Sequence, residues 1–186
     1  MATTEIVPNG NNSYGTAWTN GFLHVDEGSG AINDTDYIAT GVDGNKEFFD
    51  FTTDSNLTGA TISQIEFFYR AKKSNNGAFI PQLYIGGSTY NGTTPTLTTS
   101  YANYSHTWNT NPADSAAWEK SDIDDLVAGF ELDIPRGFGN NAYVSATWII
   151  VTYTAAAGYG NNVAGTDSVA KVNGIAVANI SKVNGV

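Results

Sequence analysis

The sequence predicts an all-β protein, an antiparallel β-sandwich or jelly roll with one short helix and a C-terminal extension. Three observations point there. Runs of β-branched and aromatic residues recur along the chain, bounded by Gly, Asn, Asp, Ser and Pro, as short strands between turns require. The longest run, Ile62 to Lys73, alternates in side-chain character, with Ile65, Phe67 and Tyr69 on one face and Glu66, Phe68 and Arg70 on the other. Many such strands at this spacing form two packed sheets. Finally, the composition changes after Thr154, which divides the chain into a sandwich over 1–154 and an extension over 155–186.

The first clear strand runs from Ala31 to Thr40 and the next from Lys46 to Phe51, followed by Ile62–Lys73. Phe79–Ile85 comes next, closed by Gly86-Gly87, and Tyr101–Asn109 alternates Tyr101, Asn103, Ser105 and Thr107 against Ala102, Tyr104, His106 and Trp108. Ala142–Thr154 is the most apolar strand, and Trp148 within it reads as core. One segment breaks the β pattern. Ser121 can cap a one- or two-turn helix, with Asp124 three residues on and Gly129 as its stop. Ile123, Leu126 and Val127 then face inward, and Trp118 precedes the helix as a further core residue.

The extension opens with Ala155-Ala-Ala-Gly-Tyr-Gly-Asn-Asn162, the composition of a flexible joint. It then repeats Lys-Val-Asn-Gly, at Lys171 and again at Lys182. Asn-Gly favours a type I′ turn, so Val172 and Ile175 are placed to flank a small hairpin. The tail is nearly uncharged and would expose Val172, Ile175, Val177, Ile180, Val183 and Val186 to water, which makes these the candidate docking or assembly residues. A disordered tail is the plainer alternative for so much Gly, Asn and Ala.

The 186 residues are 41% hydrophobic and 12% aromatic, enough for a sizeable core. The net charge is -10, which disfavours nucleic acid as a partner. The one basic cluster, Arg70, Lys72 and Lys73, is split between the two faces of a strand. There is no cysteine, so disulfides, thiolate metal sites and cysteine nucleophiles are excluded. The first residues form no secretory signal, and no apolar run nears the roughly 20 residues that span a bilayer, so no membrane partner is expected. Asn-x-Ser/Thr triplets such as those at Asn11, Asn56, Asn91 and Asn103 are expected by chance in a chain this rich in Asn and Thr.

No catalytic residues, metal site or cofactor are assigned. Phosphate-binding glycine loops and a nucleophile elbow are absent, and His24 and His106 fall on different predicted elements. Asp34/Asp36 and Asp122/Asp124/Asp125 are the densest acidic groups, but neither completes a calcium loop, and a turn and a helix start explain them. Exposed aromatics remain as a binding signal. Tyr84, Tyr90 and Tyr101 are the candidates for stacking on sugar rings, which opens the reading of a carbohydrate-binding module that recognises host glycans.

The stretch from Tyr104 to Phe130 orders a strand, the Asn111-Pro112 turn, Trp118 and a short acidic helix, and Val144–Tyr153 follows as a final apolar strand. This order resembles β-sandwich domains of bacteriophage structural proteins, and the doubled Lys-Val-Asn-Gly resembles the ends of virion proteins. The resemblance covers about the last half of the chain, its motifs are of modest specificity, and the N-terminal half departs from it. It implies a non-enzymatic role on a virion assembled in the host cytoplasm: capsid decoration (cement), head fibre or tail appendage. The implied partners are further copies of the chain, in a trimer or other cyclic homo-oligomer, and other virion proteins such as the major capsid or tail proteins.

Overall fold

A computed structural model describes residues 1–133, 140–156, 171–172 and 175–176. The chain forms an antiparallel β-sandwich. In the first sheet, β10 (Asn141–Thr154) pairs along one edge with β5 (Thr61–Ser74), which in turn pairs with β8 (Ala102–Trp108). The other edge of β10 takes both β1 (Ala2–Ile6) and β3 (Ile38–Thr40). The second sheet runs β2 (Pro8–Thr16), β4 (Lys46–Phe51), β9 (Val127–Leu132), β6 (Phe79–Ile85) and β7 (Ser88–Asn91).

Alternation decides what lies between the sheets. Ile65, Phe67, Tyr69 and Ala71 of β5 are fully buried and meet Phe49 and Phe51 of β4, Ala128, Phe130 and Leu132 of β9, and Phe79 and Leu83 of β6. Phe67 stacks on Phe130 across the gap at 5.3 Å, and Tyr69 meets Phe79 edge-on at 5.3 Å. Aromatic contacts of this geometry add to the burial that holds the sheets together. Trp118 sits in this core as expected, with its indole N–H donating to the Trp108 carbonyl at 3.0 Å.

Glu47 is the exception in the core. Alternation along β4 turns it inward, where it is 1% exposed and accepts the Trp18 N–H at 3.0 Å. Burial pushes its carboxyl up to about 7, because the ionised form loses its water.

The structure corrects several sequence expectations. Ala31–Thr40 is not one strand: only Ile38–Thr40 is extended, because the Asn33 side chain accepts from Thr35 and folds 33–36 into a turn. β1, β2, β7 and β9 were not anticipated. The helix α1 is Lys120–Asp124, earlier than expected. Glu119, not Ser121, caps it, in a reciprocal pair with Asp122. Gly129 does not stop a helix but lies within central strand β9, where a Cβ would come 1.9 Å from the Glu47 carbonyl oxygen. Ile123 and Leu126 do face the core, whereas Val127 lies on the outer side of β9. Trp148 is buried, but on the outer face of the first sheet, in a parallel stack with Phe68 at 5.3 Å.

Beyond Ala156 the description is limited to one backbone pairing, Lys171–Val172 (β11) against Ile175–Ala176 (β12). The side chains of Val172 and Ile175, and all of Val177, Ile180, Val183 and Val186, lie outside the described residues. Among the described residues, no helix is long and apolar enough to cross a membrane.

Candidate functional site

The outer face of the second sheet carries the site. Tyr84 sits on β6 with its side chain outward, between core residues Leu83 and the half-buried Ile85. The strand ends in Gly86-Gly87, whose φ values of 58° and 88° make the two-residue turn into β7 that only such residues adopt freely. Across the sheet, the β2 backbone is irregular between Asn11 and Thr16. There Asn12 donates to Asp50 at 2.7 Å and accepts the Tyr14 N–H at 3.0 Å. Gly15 approaches β4 so closely that a Cβ would lie 2.9 Å from Lys46. That descent lays Tyr14 flat over the sheet. Its ring stacks on Tyr84 with centroids 3.8 Å apart, covers Phe48 edge-on at 5.3 Å, and stays 42% exposed.

Beside this pair opens a pocket of about 320 Å³. Tyr84, Ile85, Gly86 and Val127 form one side, and Ser121, Asp122 and Asp125 the other. Helix α1 presents that second side because Ile123 and Leu126 anchor it in the core, which leaves Ser121 and Asp125 exposed. Asp122 is held by the cap, accepting the Glu119 N–H at 2.8 Å, and Asp124 is occupied by Lys120 at 2.7 Å. Asp125 and the Ser121 hydroxyl have no side-chain partner among the described residues. Among the described residues, no basic residue lines the pocket.

Of the residues expected to stack on sugars, Tyr84 lines the pocket, and the structure does not bring the other two to it. Tyr90 faces inward from the edge strand β7 and packs half-buried against the core. Tyr101 lies on the first sheet's outer face, with the Lys72 ammonium 4.3 Å and the Arg70 guanidinium 5.8 Å from its ring. Burial raises its hydroxyl above the usual tyrosine range.

The acidic groups are also accounted for. Asp34 takes two hydrogen bonds from Arg70, both 2.7 Å, and one from Ser145 at 2.9 Å, and the Arg70 bonds hold its carboxyl below the usual range. Asp36 pairs with His24. Among the described residues, no three His, Asp or Glu side chains converge to hold a metal ion.

Sequence reasoning missed Tyr14, because Asn9-Gly-Asn-Asn-Ser13 before it opposes strand formation. It weighed Asp122 as a helix-start charge or a calcium ligand, not as part of a sugar site. The available signal was the proximity in sequence of Ser121, Asp122 and Asp125 to a helix whose apolar residues must point the other way.

No protein-family model matches the chain, and no curated protein matches it. Several solved structures are similar to this chain. The C-terminal CBM6 of LamC, from a marine laminarinase of Zobellia galactanivorans, is 14% identical, with 81% of this chain and 99% of that one covered and a TM-score of 0.44. A variant of the family 29 carbohydrate-binding module CBM29-2 is 9% identical over 81% and 87% of the two chains, at a TM-score of 0.47. CBM29_1 of Piromyces equi is 13% identical over 81% and 91%, at 0.42. At such identities no residue of this chain is matched to a functional residue of theirs.

Proposed function

We propose that the protein is a non-catalytic glycan-binding β-sandwich whose ligand lies in the pocket between Tyr84 and the Ser121–Asp125 wall. The observation that carries this reading is the pairing of an aromatic wall with a polar one around an open cleft. Tyr84 is braced from outside by Tyr14 at 3.8 Å, so its ring is held in one orientation before any ligand arrives. A sugar ring offers C–H groups on one face and hydroxyls at its edge. An ordered aromatic ring takes the first, and carboxylate and hydroxyl oxygens take the second.

The same geometry argues against glycan cleavage. Hydrolysis needs two carboxyl groups facing each other across the bond that breaks. Here Asp122 and Asp125 sit on one wall, on one short helix and its end, and the facing residues Tyr84, Ile85, Gly86 and Val127 carry no carboxyl group.

The test is titration of the full chain with a panel of soluble oligosaccharides, followed by calorimetry or NMR. Tyr84→Ala is expected to weaken binding at least about ten-fold, the scale of one lost aromatic contact, while the fold survives. Binding that ignores Tyr84→Ala, or no binding to any glycan, sinks the reading.

The resemblance to bacteriophage structural proteins adds a location as a separate proposal. On a particle surface, such a module would read a host glycan, and a cyclic homo-oligomer would multiply a weak contact. Two measurements decide it: detection of the chain in purified particles, and the solution mass of the full chain against one cut after Thr154. Absence from particles removes the location, and an unchanged monomer mass removes assembly through the tail.

A further inference from the structure

We infer that the pocket selects sugars bearing a free amine, glucosamine-type units, over their N-acetylated and acidic counterparts. This rests on the glycan reading above and deepens it. The pocket is not merely a cluster of acids: it has a volume of about 320 Å³ and an aromatic side chain, Tyr84, in its lining. Within that enclosure the charge is of one sign. Among the described residues, Asp122 and Asp125 line it and no Lys or Arg does. The nearest lysine along the chain, Lys120, is taken by Asp124 at 2.7 Å. Asp122 gives one carboxylate oxygen to the Glu119 N–H, while Asp125 is exposed and carries no side-chain hydrogen bond among the described residues.

A carboxylate held without a cation, beside a ring positioned to take a sugar face, is complementary to an ammonium group on that sugar. N-acetylation removes the charge and leaves a single amide donor. A uronate places a second negative charge beside Asp122 and Asp125, on a protein whose net charge is already -10. Asp125 is the selecting residue, because Asp122 is already committed to the helix cap.

The experiment uses the full chain and three β-1,4-linked tetrasaccharides: glucosamine, N-acetylglucosamine and glucuronate. Binding is measured by calorimetry at low and high salt, at a pH where the amine is charged. The glucosamine tetramer is expected to bind about five-fold tighter than the acetylated one, the upper end for a partly exposed ion pair. The uronate is expected to bind weakest, and added salt to narrow the gap. Asp125→Asn should abolish the preference for the amine over the amide. Asp133→Asn, the same charge change away from the pocket, should leave the preference in place. Equal affinity for the amine and the amide, or a preference that survives Asp125→Asn, overturns the inference but leaves the glycan reading standing if Tyr84→Ala still weakens binding. Failure of all three sugars to bind overturns this inference, and failure of the wider panel overturns the glycan reading as well.

Discussion

The two outer faces of the sandwich each carry a stacked aromatic pair, and the pairs differ in what lies above them. On the first sheet, Phe68 and Trp148 stack in parallel at 5.3 Å, and Trp148 is only 4% exposed. The long connection between β2 and β3 closes that face: Asp34 reaches Arg70 and Ser145, and the Val25 carbonyl accepts the Thr147 N–H at 3.0 Å. On the second sheet, Tyr14 and Tyr84 stack more tightly, at 3.8 Å, yet Tyr14 is 42% exposed and a cleft opens beside the pair. Aromatic content therefore does not locate the site. What locates it is whether a loop has already used the aromatic surface for folding.

Substitutions should separate the two faces. Trp148→Ala is expected to destabilise the fold by about 3–5 kcal/mol, the range for removing a buried large aromatic, as measured by denaturant unfolding. Tyr84→Ala should cost only about 1 kcal/mol, the common value for a half-buried position, and show its effect in ligand binding instead. If Trp148→Ala proved mild, the first face would be open in solution and the contrast would collapse.

The interior adds a second contrast, in pH dependence. The Glu47 carboxyl is raised by burial from 4.5 to about 7. The unfolded chain ionises it first, so its contribution to stability is fully present below about 4.5 and is lost as pH rises through about 7. Glu47→Gln keeps the acceptor for the Trp18 N–H and should flatten this loss, leaving the variant more stable than the wild type above neutral pH, by on the order of 2 kcal/mol.

His106 acts in the opposite direction and more weakly. Burial holds its imidazole below 6.5, and its Nδ1 accepts the Thr93 N–H at 3.1 Å. Its contribution is present above 6.5 and is lost as pH falls through the lowered value. The Thr93 amide resonance should shift as His106 protonates. An amide that ignores acidification would mean the contact is not made in solution.

Which strands were legible in the sequence followed their local residue pattern and not their place in the sheet: edge strand β8 was visible and central strand β9 was not. β5, β6, β8 and β10 were visible because Val, Ile and aromatic residues alternate or run on in them. β2 was hidden because Asn12 and Gly15 serve the irregular backbone that lowers Tyr14 onto β4, and those residue types read locally as loop. β9 was hidden because Val-Ala-Gly-Phe continues the helical signal of α1. Only the tertiary approach of the Glu47 carbonyl explains why Gly129 is there. For the site, Tyr84 was identified, but neither its partner Tyr14 nor the α1 wall was. Both come to Tyr84 through pairing that joins strands far apart in sequence, which no local pattern encodes. Tyr101, also read as an exposed aromatic, is half-buried, with the Lys72 ammonium and the Arg70 guanidinium against its ring.

The smallest expected effect concerns Tyr69, which joins the core to the first sheet's inner face. Its ring touches Phe67, Phe79, Phe130 and Tyr104, and its hydroxyl is buried with no hydrogen-bond partner among the described residues. Burial raises that hydroxyl far above the usual tyrosine range, so it stays neutral, but it loses its hydrogen bonds to water. Tyr69→Phe keeps every ring contact and removes only the oxygen. The change should leave stability unchanged or raise it by up to about 1 kcal/mol, since an unsatisfied buried group is a cost and not a contact. A clear loss on denaturant unfolding would mean that the hydroxyl does find a partner between the sheets. The interior near Tyr104 would then be polar enough to admit water.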